Sequence, residues 1–250
     1  MIDEATTNRL CRHGHAVNLF QDSPNTILFL ADHVYIYHID QKRFSIAHEE
    51  KPIYWGNLQG IASTPQATYL CDTRRVYQLN RESGQLEAIL TCRQGQAITS
   101  ATRDSIGHIW LGTNRGLVCF TPSNGSITPL PTELYNEISS IACDHKGRLW
   151  IGADNNLFSY LPNEQRFIMY GESDGVLPNE YRSKSKWVSQ EGDLYMGGVQ
   201  GLLHIEADLI PEQPDTPTLQ LSDILINGES SGDISANPKH ELSLPHGTHI

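Results

Sequence analysis

The feature that most constrains this chain is a segment that occurs twice. Asp104-Ser105-Ile106-Gly107-His108-Ile109-Trp110-Leu111-Gly112-Thr113 returns as Asp144-His145-Lys146-Gly147-Arg148-Leu149-Trp150-Ile151-Gly152-Ala153, with the tryptophans 40 residues apart. Weaker copies flank the pair. Tyr195 holds the tryptophan position 45 residues further on, within Gly192-Asp193-Leu194-Tyr195-Met196-Gly197. Upstream, Tyr69 lies 41 residues before Trp110, and Phe29 another 40 before that. A fixed period of this length means one supersecondary unit repeated, with its core made by stacking on its neighbours.

Each unit reads as strands. Ile98–Thr102 is the first, and Asp104–Gly107 a tight turn in which Asp bonds the backbone ahead and Gly supplies positive φ. His108–Thr113, Leu117–Phe120 and Ser126–Leu130 follow as second, third and fourth strands, parted by turns at Asn114-Arg115-Gly116 and Pro122–Gly125. No window sustains a helical period. The second strands are apolar almost without a break (Ile109-Trp110-Leu111, Leu149-Trp150-Ile151, Leu194-Tyr195-Met196), whereas a strand wet on one face alternates. The glycine closing each run (Gly112, Gly152, Gly197) leaves room for a neighbour's side chain or a close backbone approach. Four strands, a period near 40 residues and two covered faces specify a β-propeller blade. Leucine-rich repeats have a shorter period, helical repeats need helices, and the Trp-Asp pair of WD40 repeats is missing.

The pattern Asp-x-x-Gly-x-(Ile/Leu)-Trp-(Leu/Ile)-Gly-Thr-x-x-Gly-Leu resembles the two-component regulator propeller repeat. Residues 104–117 match it throughout; residues 144–157 depart at Ala153 and Asn156; residues 189–202 keep Gly192, Gly197, Gly201 and Leu202. The two upstream units are degenerate copies. The expected fold is therefore all-β, with five blades over residues 1–210 in units near 17–57, 58–97, 98–137, 138–180 and 181–210. The resemblance implies a propeller of about seven blades, of which five are visible here. A Pro-rich linker is expected at 211–217, and residues 218–250 resemble the start of the Ig-like domain that follows such propellers, with a strand ending at the Asn227-Gly228 turn and another at Glu241–Leu244. The chain is thus expected to be part of a longer sensor. The resemblance further implies a periplasmic location, recognition of an oligosaccharide, relay through the Ig-like domain to a histidine kinase, and a homodimer in the full-length protein. It implies no cofactor.

Charge narrows the partners. With 18 Lys plus Arg against 29 Asp plus Glu, the net charge is −11. Phosphate backbones and anionic membranes need a basic face, so nucleic acid is not an expected partner. A neutral ligand such as a sugar fits this balance better than a polyanion. No apolar run approaches a membrane span and no signal peptide is visible. The five cysteines (Cys11, Cys71, Cys92, Cys119, Cys143) form no C-x-x-C pair and read as small buried thiols.

Motifs of catalysis reduce to turns. Gly171-Glu172-Ser173-Asp174-Gly175 and Gly228-Glu229-Ser230-Ser231-Gly232 fit G-x-S-x-G, but neither has the strand before and helix after that a nucleophile elbow needs. His13 and His15 give two imidazoles where a metal needs three or four ligands, and Asp104 and Asp144 give one carboxylate per turn, too few for calcium, so no metal site is expected. Asn124-Gly125-Ser126 fits a glycosylation sequon and reads as a hairpin turn. A paired acid and base for a lyase or glycosidase is not evident. A ligand-free interaction propeller is the other alternative.

For ligand contacts, loops on a rigid scaffold are the place to look. The turns between second and third strands share one end of the propeller by repeat symmetry. They supply Arg74, Arg75, Asn114, Arg115, Asp154 and Asn155. The insertion that stretches the last period adds Arg182 and Trp187, a ring on which a sugar could stack. The residues expected to build the repeat are Asp104, Gly107, Trp110, Gly112, Asp144, Gly147, Trp150, Gly152, Gly192, Tyr195 and Gly197.

Overall fold

The computed structural model describes residues 18–31, 33–49, 58–130, 137–207, 225–226 and 229–230. It is all-β, and the described residues form five blades of a β-propeller. Blade 1 is the antiparallel sheet β1 (Asn18–Ser23), β2 (Thr26–Leu30), β3 (Val34–His38) and β4 (Arg43–Ile46). The short β5 (His48–Glu49) runs parallel to the outer strand of blade 2, which is built from β6 (Gln59–Ser63), β7 (Ala67–Cys71), β8 (Arg75–Asn80) and β9 (Gln85–Thr91). Blade 3 comprises β10 (Ile98–Arg103), β11 (Ile109–Thr113), β12 (Gly116–Thr121) and β13 (Ser126–Pro129). Blade 4 comprises β14 (Ile138–Cys143), β15 (Leu149–Ala153), β16 (Asn156–Leu161) and β17 (Arg166–Tyr170). Blade 5 shows three strands among the described residues, β18 (Tyr181–Val188), β19 (Leu194–Gly198) and β20 (Gly201–Ile205). Among the described residues helix is confined to single turns such as the 3-10 turn Glu172–Asp174. Among the described residues no helix is long and apolar enough to cross a membrane.

The innermost strands β1, β6, β10, β14 and β18 lie beside one another in that order. The period-2 rule of a strand then sorts side chains between neighbouring blades. Ile109, Leu111, Val118 and Phe120 of blade 3 bury against Cys71, Val76 and Leu90 of blade 2. The alternate residues Trp110 and Leu117 bury against Ile138, Ile141, Leu149 and Ile151 of blade 4. Every residue of β11 and β15 is buried, which is why those strands read as unbroken apolar runs. In β19 only alternate residues are buried, because among the described residues no blade covers the outer face of blade 5. There Trp187 and Leu202 stand 61% and 67% exposed.

The glycines of the second strands are sockets. A Cβ on Gly112 would sit 2.6 Å from Ile138 Cγ2, and one on Gly152 would sit 2.6 Å from Tyr181 Cδ2. Ile138 and Tyr181 are the first residues of the next blades' inner strands, so each glycine admits the side chain that starts its neighbour. The three atoms nearest a Cβ on Gly197, among the described residues, all belong to Ser185 of its own blade.

Residues 210–250 form a separate unit, in which β21 (Leu225–Ile226) pairs antiparallel with β22 (Glu229–Ser230), flanking Asn227-Gly228. The expected linker at 211–217, the strand from Thr218 to Ile224 and the strand Glu241–Leu244 lie outside the described residues, as do His13, His15 and Cys11.

Candidate functional site

The turns come first, because they hold everything else in place. Asp104 accepts backbone N–H bonds from Gly107 and His108 through Oδ1, both at 2.8 Å, while Gly107 takes φ of 105°. Its other oxygen accepts the Trp110 indole N–H at 2.8 Å. Asp144 repeats this, with Lys146 and Arg148 N–H on Oδ1 at 2.9 Å and the Trp150 indole on Oδ2 at 3.0 Å. Blades 2 and 5 replace the carboxylate by a hydroxyl. Thr64 Oγ1 accepts Ala67 N–H and Ser189 Oγ accepts Asp193 N–H, both at 3.1 Å. In those two blades the ladder residue is Tyr69 or Tyr195, not Trp. A buried indole N–H needs an acceptor, and in blades 3 and 4 the second oxygen of the turn aspartate supplies it.

The end of the propeller carrying the turns between second and third strands holds most of the ligand candidates. Several are committed to the fold. Asn114 Oδ1 accepts Ala97 N–H at 2.9 Å and its Nδ2 donates to Gly95 O at 3.2 Å, so it straps the incoming loop. Arg115 lies over Gly95. Asp154 and Asn155 take φ of 49° and 62°, the paired left-handed conformation of a two-residue hairpin turn. The Asn155 carbonyl accepts Asn179 N–H at 2.8 Å, and Asn179 in turn bonds Gln200 and Gly201. Backbone N–H groups of Arg74 and Arg75 donate to the buried Asp72. Arg182 forms a surface ion pair with Glu180 at 3.0 Å. Trp187 lies elsewhere, on the outer face of blade 5, tilted by 32° against Tyr195, which stacks on His204 at 4.5 Å between centroids.

Two features had no signal in the sequence beyond strand alternation. Lys186 on β18 reaches across the inner strands and donates to Ser100 Oγ at 2.8 Å, Ala101 O at 2.7 Å and Ile141 O, joining blades 3, 4 and 5. Three acceptors match the three hydrogens of an ammonium. Burial nevertheless pulls its pKa down to about 7, with the Cys71 thiol the other titratable group near it. The second feature is a cleft of about 460 Å³ between blades 3 and 4, at the end opposite those turns.

The remaining motifs behave as turns and thiols. Ser173 sits in the exposed 3-10 turn, bonded to Asp174. Asn124 Oδ1 accepts Ser126 N–H in the blade 3 hairpin. Cys71, Cys92, Cys119 and Cys143 are free thiols; burial pushes Cys71 and Cys143 up to about 12. Among the described residues no group of three or more His, Cys, Asp or Glu could hold a metal ion.

Residues 132–155, which run through β14 and β15, match the family described as two component regulator propeller. No curated protein matches the chain. Its fold is similar to the extracellular domains of two proteins assigned to hybrid two component systems in B. thetaiotaomicron. One is 18% identical with a TM-score of 0.59, over 75% of this chain and 27% of that one; the other is 14% identical with a TM-score of 0.58, over 79% and 29%. The chain thus spans less than a third of the length of either domain. The fold is also similar to virginiamycin B lyase from Staphylococcus aureus, seen with quinupristin, at 13% identity and a TM-score of 0.63 over 80% of this chain and 70% of the lyase.

Proposed function

We propose that this chain, which carries a two component regulator propeller repeat at residues 132–155, is part of the extracytoplasmic sensor of a two-component signalling protein and binds a neutral oligosaccharide. The observation that carries the reading is that the family match falls on the Asp144–Trp150–Gly152 frame of blade 4, in a fold shared with extracellular domains of two-component systems. The net charge of −11 favours an uncharged ligand over a polyanion.

The outer face of blade 5 supports a propeller larger than five blades. Trp187, Tyr195, Leu202 and His204 lie on one face, and Gly197 stands where Gly112 and Gly152 admit the first side chain of the next blade. A sixth blade would place the first side chain of its inner strand there. About seven blades would close such a ring. Beyond it, an Ig-like domain, relay to a histidine kinase, a homodimer and a periplasmic location complete the reading.

Differential scanning fluorimetry with neutral and acidic oligosaccharides tests the ligand. A specific neutral ligand at 100 times its Kd stabilises the chain by about 2.7 kcal/mol, visible as a rise in Tm. No shift with any oligosaccharide removes the ligand claim. Product formation would turn the reading toward a propeller enzyme, the alternative raised by the lyase's fold.

A further inference from the structure

The cleft between blades 3 and 4 has the chemistry of a ring-binding site. Its floor is aromatic: Tyr160 and Phe167 lie with centroids 4.4 Å apart, and Trp110 meets Tyr160 edge-on at 5.8 Å. Its rim carries Thr128, Asn163 and Gln165, all exposed. Among the described residues no side-chain hydrogen bond engages these three. The lining holds no Asp, Glu, Lys or Arg.

Gln165 is held at some cost. It takes φ of 52°, the left-handed region that favours glycine. The same turn position is Gly84 in blade 2 and Gly125 in blade 3, with φ of 68° and 71°; blade 1 has Lys42. In blade 4 the chain keeps a strained amide at the lip of the cleft where glycine would be relaxed, and strain of this kind collects at ligand sites.

We infer that this cleft binds one ring of a neutral saccharide, with the ring's C–H face on the half-buried Phe167, which is backed by the buried Tyr160, and its hydroxyls bonded to Asn163, Gln165 and Thr128. A concave, mostly apolar site with a few converging amide and hydroxyl groups selects such a ligand; the lining's one basic side chain, His108, is already paired with Asp104 Oδ2 at 3.1 Å, so no Lys or Arg is there to hold a carboxylate or phosphate. The inference rests on the sensor reading and places the ligand at the end of the propeller opposite Arg74, Arg115 and Asp154.

The test is nitrogen–proton NMR of the chain titrated with cellotriose, xylotriose and mannotriose, and with trigalacturonate as the charged control. One neutral trisaccharide should shift the side-chain amide signals of Asn163 and Gln165 and the Trp110 indole signal, while trigalacturonate moves none of them. Gln165→Gly removes the amide and relaxes the turn. It should therefore raise Tm by a few degrees while weakening binding about 3- to 10-fold, a split that mere damage to the fold cannot give. Gln165→Ala should weaken binding equally without the rise in Tm. A trisaccharide that raises Tm but moves signals only at the Arg74, Arg115 and Asp154 loops excludes the cleft and leaves the sensor reading intact. Unchanged affinity in both variants, or equal binding of trigalacturonate, also overturns it. If no trisaccharide raises Tm, both readings fall together.

Discussion

The indole N–H of Trp150 donates to Asp144 Oδ2 at 3.0 Å, and Trp110 does the same to Asp104 at 2.8 Å. The aspartate therefore does two jobs. One oxygen closes the turn between the first two strands, and the other fixes the rotamer of the side chain that fills the gap to the next blade. Turn and inter-blade core are coupled through one carboxylate.

Asp144→Ala is expected to destabilise the chain by about 2–5 kcal/mol, because three donors lose their acceptor in a buried turn. Trp150→Phe keeps an apolar ring but strands Asp144 Oδ2, and should cost about 1–3 kcal/mol. Urea unfolding of both variants and of the pair measures the coupling. Additive losses would show that the turn and the ring are independent.

Gly152→Ala should cost about 1–3 kcal/mol, since its Cβ would lie 2.6 Å from the Tyr181 ring and 2.7 Å from Tyr181 Cβ. Both neighbours are anchored and neither is the loose end of a flexible chain. Combining it with Tyr181→Ser should return part of the loss relative to the two single variants. A double-mutant cycle in urea reads the sign of this interaction.

The Tyr181 hydroxyl is buried and, among the described residues, has no hydrogen-bond partner. Tyr181→Phe keeps the ring in the Gly152 socket and removes an unpaired polar group. It should leave stability unchanged or raise it by about 1 kcal/mol. A loss above about 1 kcal/mol in thermal unfolding would mean the hydroxyl has a partner.

Lys186 gives stability a defined pH slope. Its pKa is lowered by burial from 10.5 to about 7. Below about 7 both folded and unfolded chains carry the proton, and the cost of burying the ammonium is fully present. Between about 7 and 10.5 the unfolded chain binds more protons, so stability rises with pH. The Cys71 thiol, at about 12, stays neutral through that window. Lys186→Met has no proton to lose. The stability of the native chain relative to this variant should therefore rise by up to about 1.4 kcal/mol per pH unit from pH 7 to pH 9. A flat difference between the two unfolding curves contradicts this.

Much of this arrangement was legible from spacing alone. The 40-residue step between Trp110 and Trp150 sets the blade, and Asp104 with Gly107 sets the turn, because both are local. The sockets at Gly112 and Gly152 were anticipated as close approaches, although their occupants, Ile138 and Tyr181, were not. Which side chain enters depends on how far each inner strand is offset from its neighbour, and the insertion before Tyr181 hides that offset. The Asp–Trp bond was also out of reach, since period fixes position and not rotamer. Among the ligand candidates, Asn114, Asp154 and Asn155 were singled out as polar loop residues, the same chemistry that makes them good turn formers. Lys186 and the cleft join residues distant in sequence, and single-strand patterns carry no trace of such pairs.

The proposed sensor role is tested most directly by one measurement. The intact gene product, held in membrane vesicles, is given radiolabelled ATP with and without the oligosaccharide that raises the chain's Tm. Phosphohistidine formation that changes on adding the sugar, and not on adding an unrelated one, is the predicted result. Phosphohistidine that ignores the sugar, or conversion of the sugar to product without any phosphorylation, would contradict it.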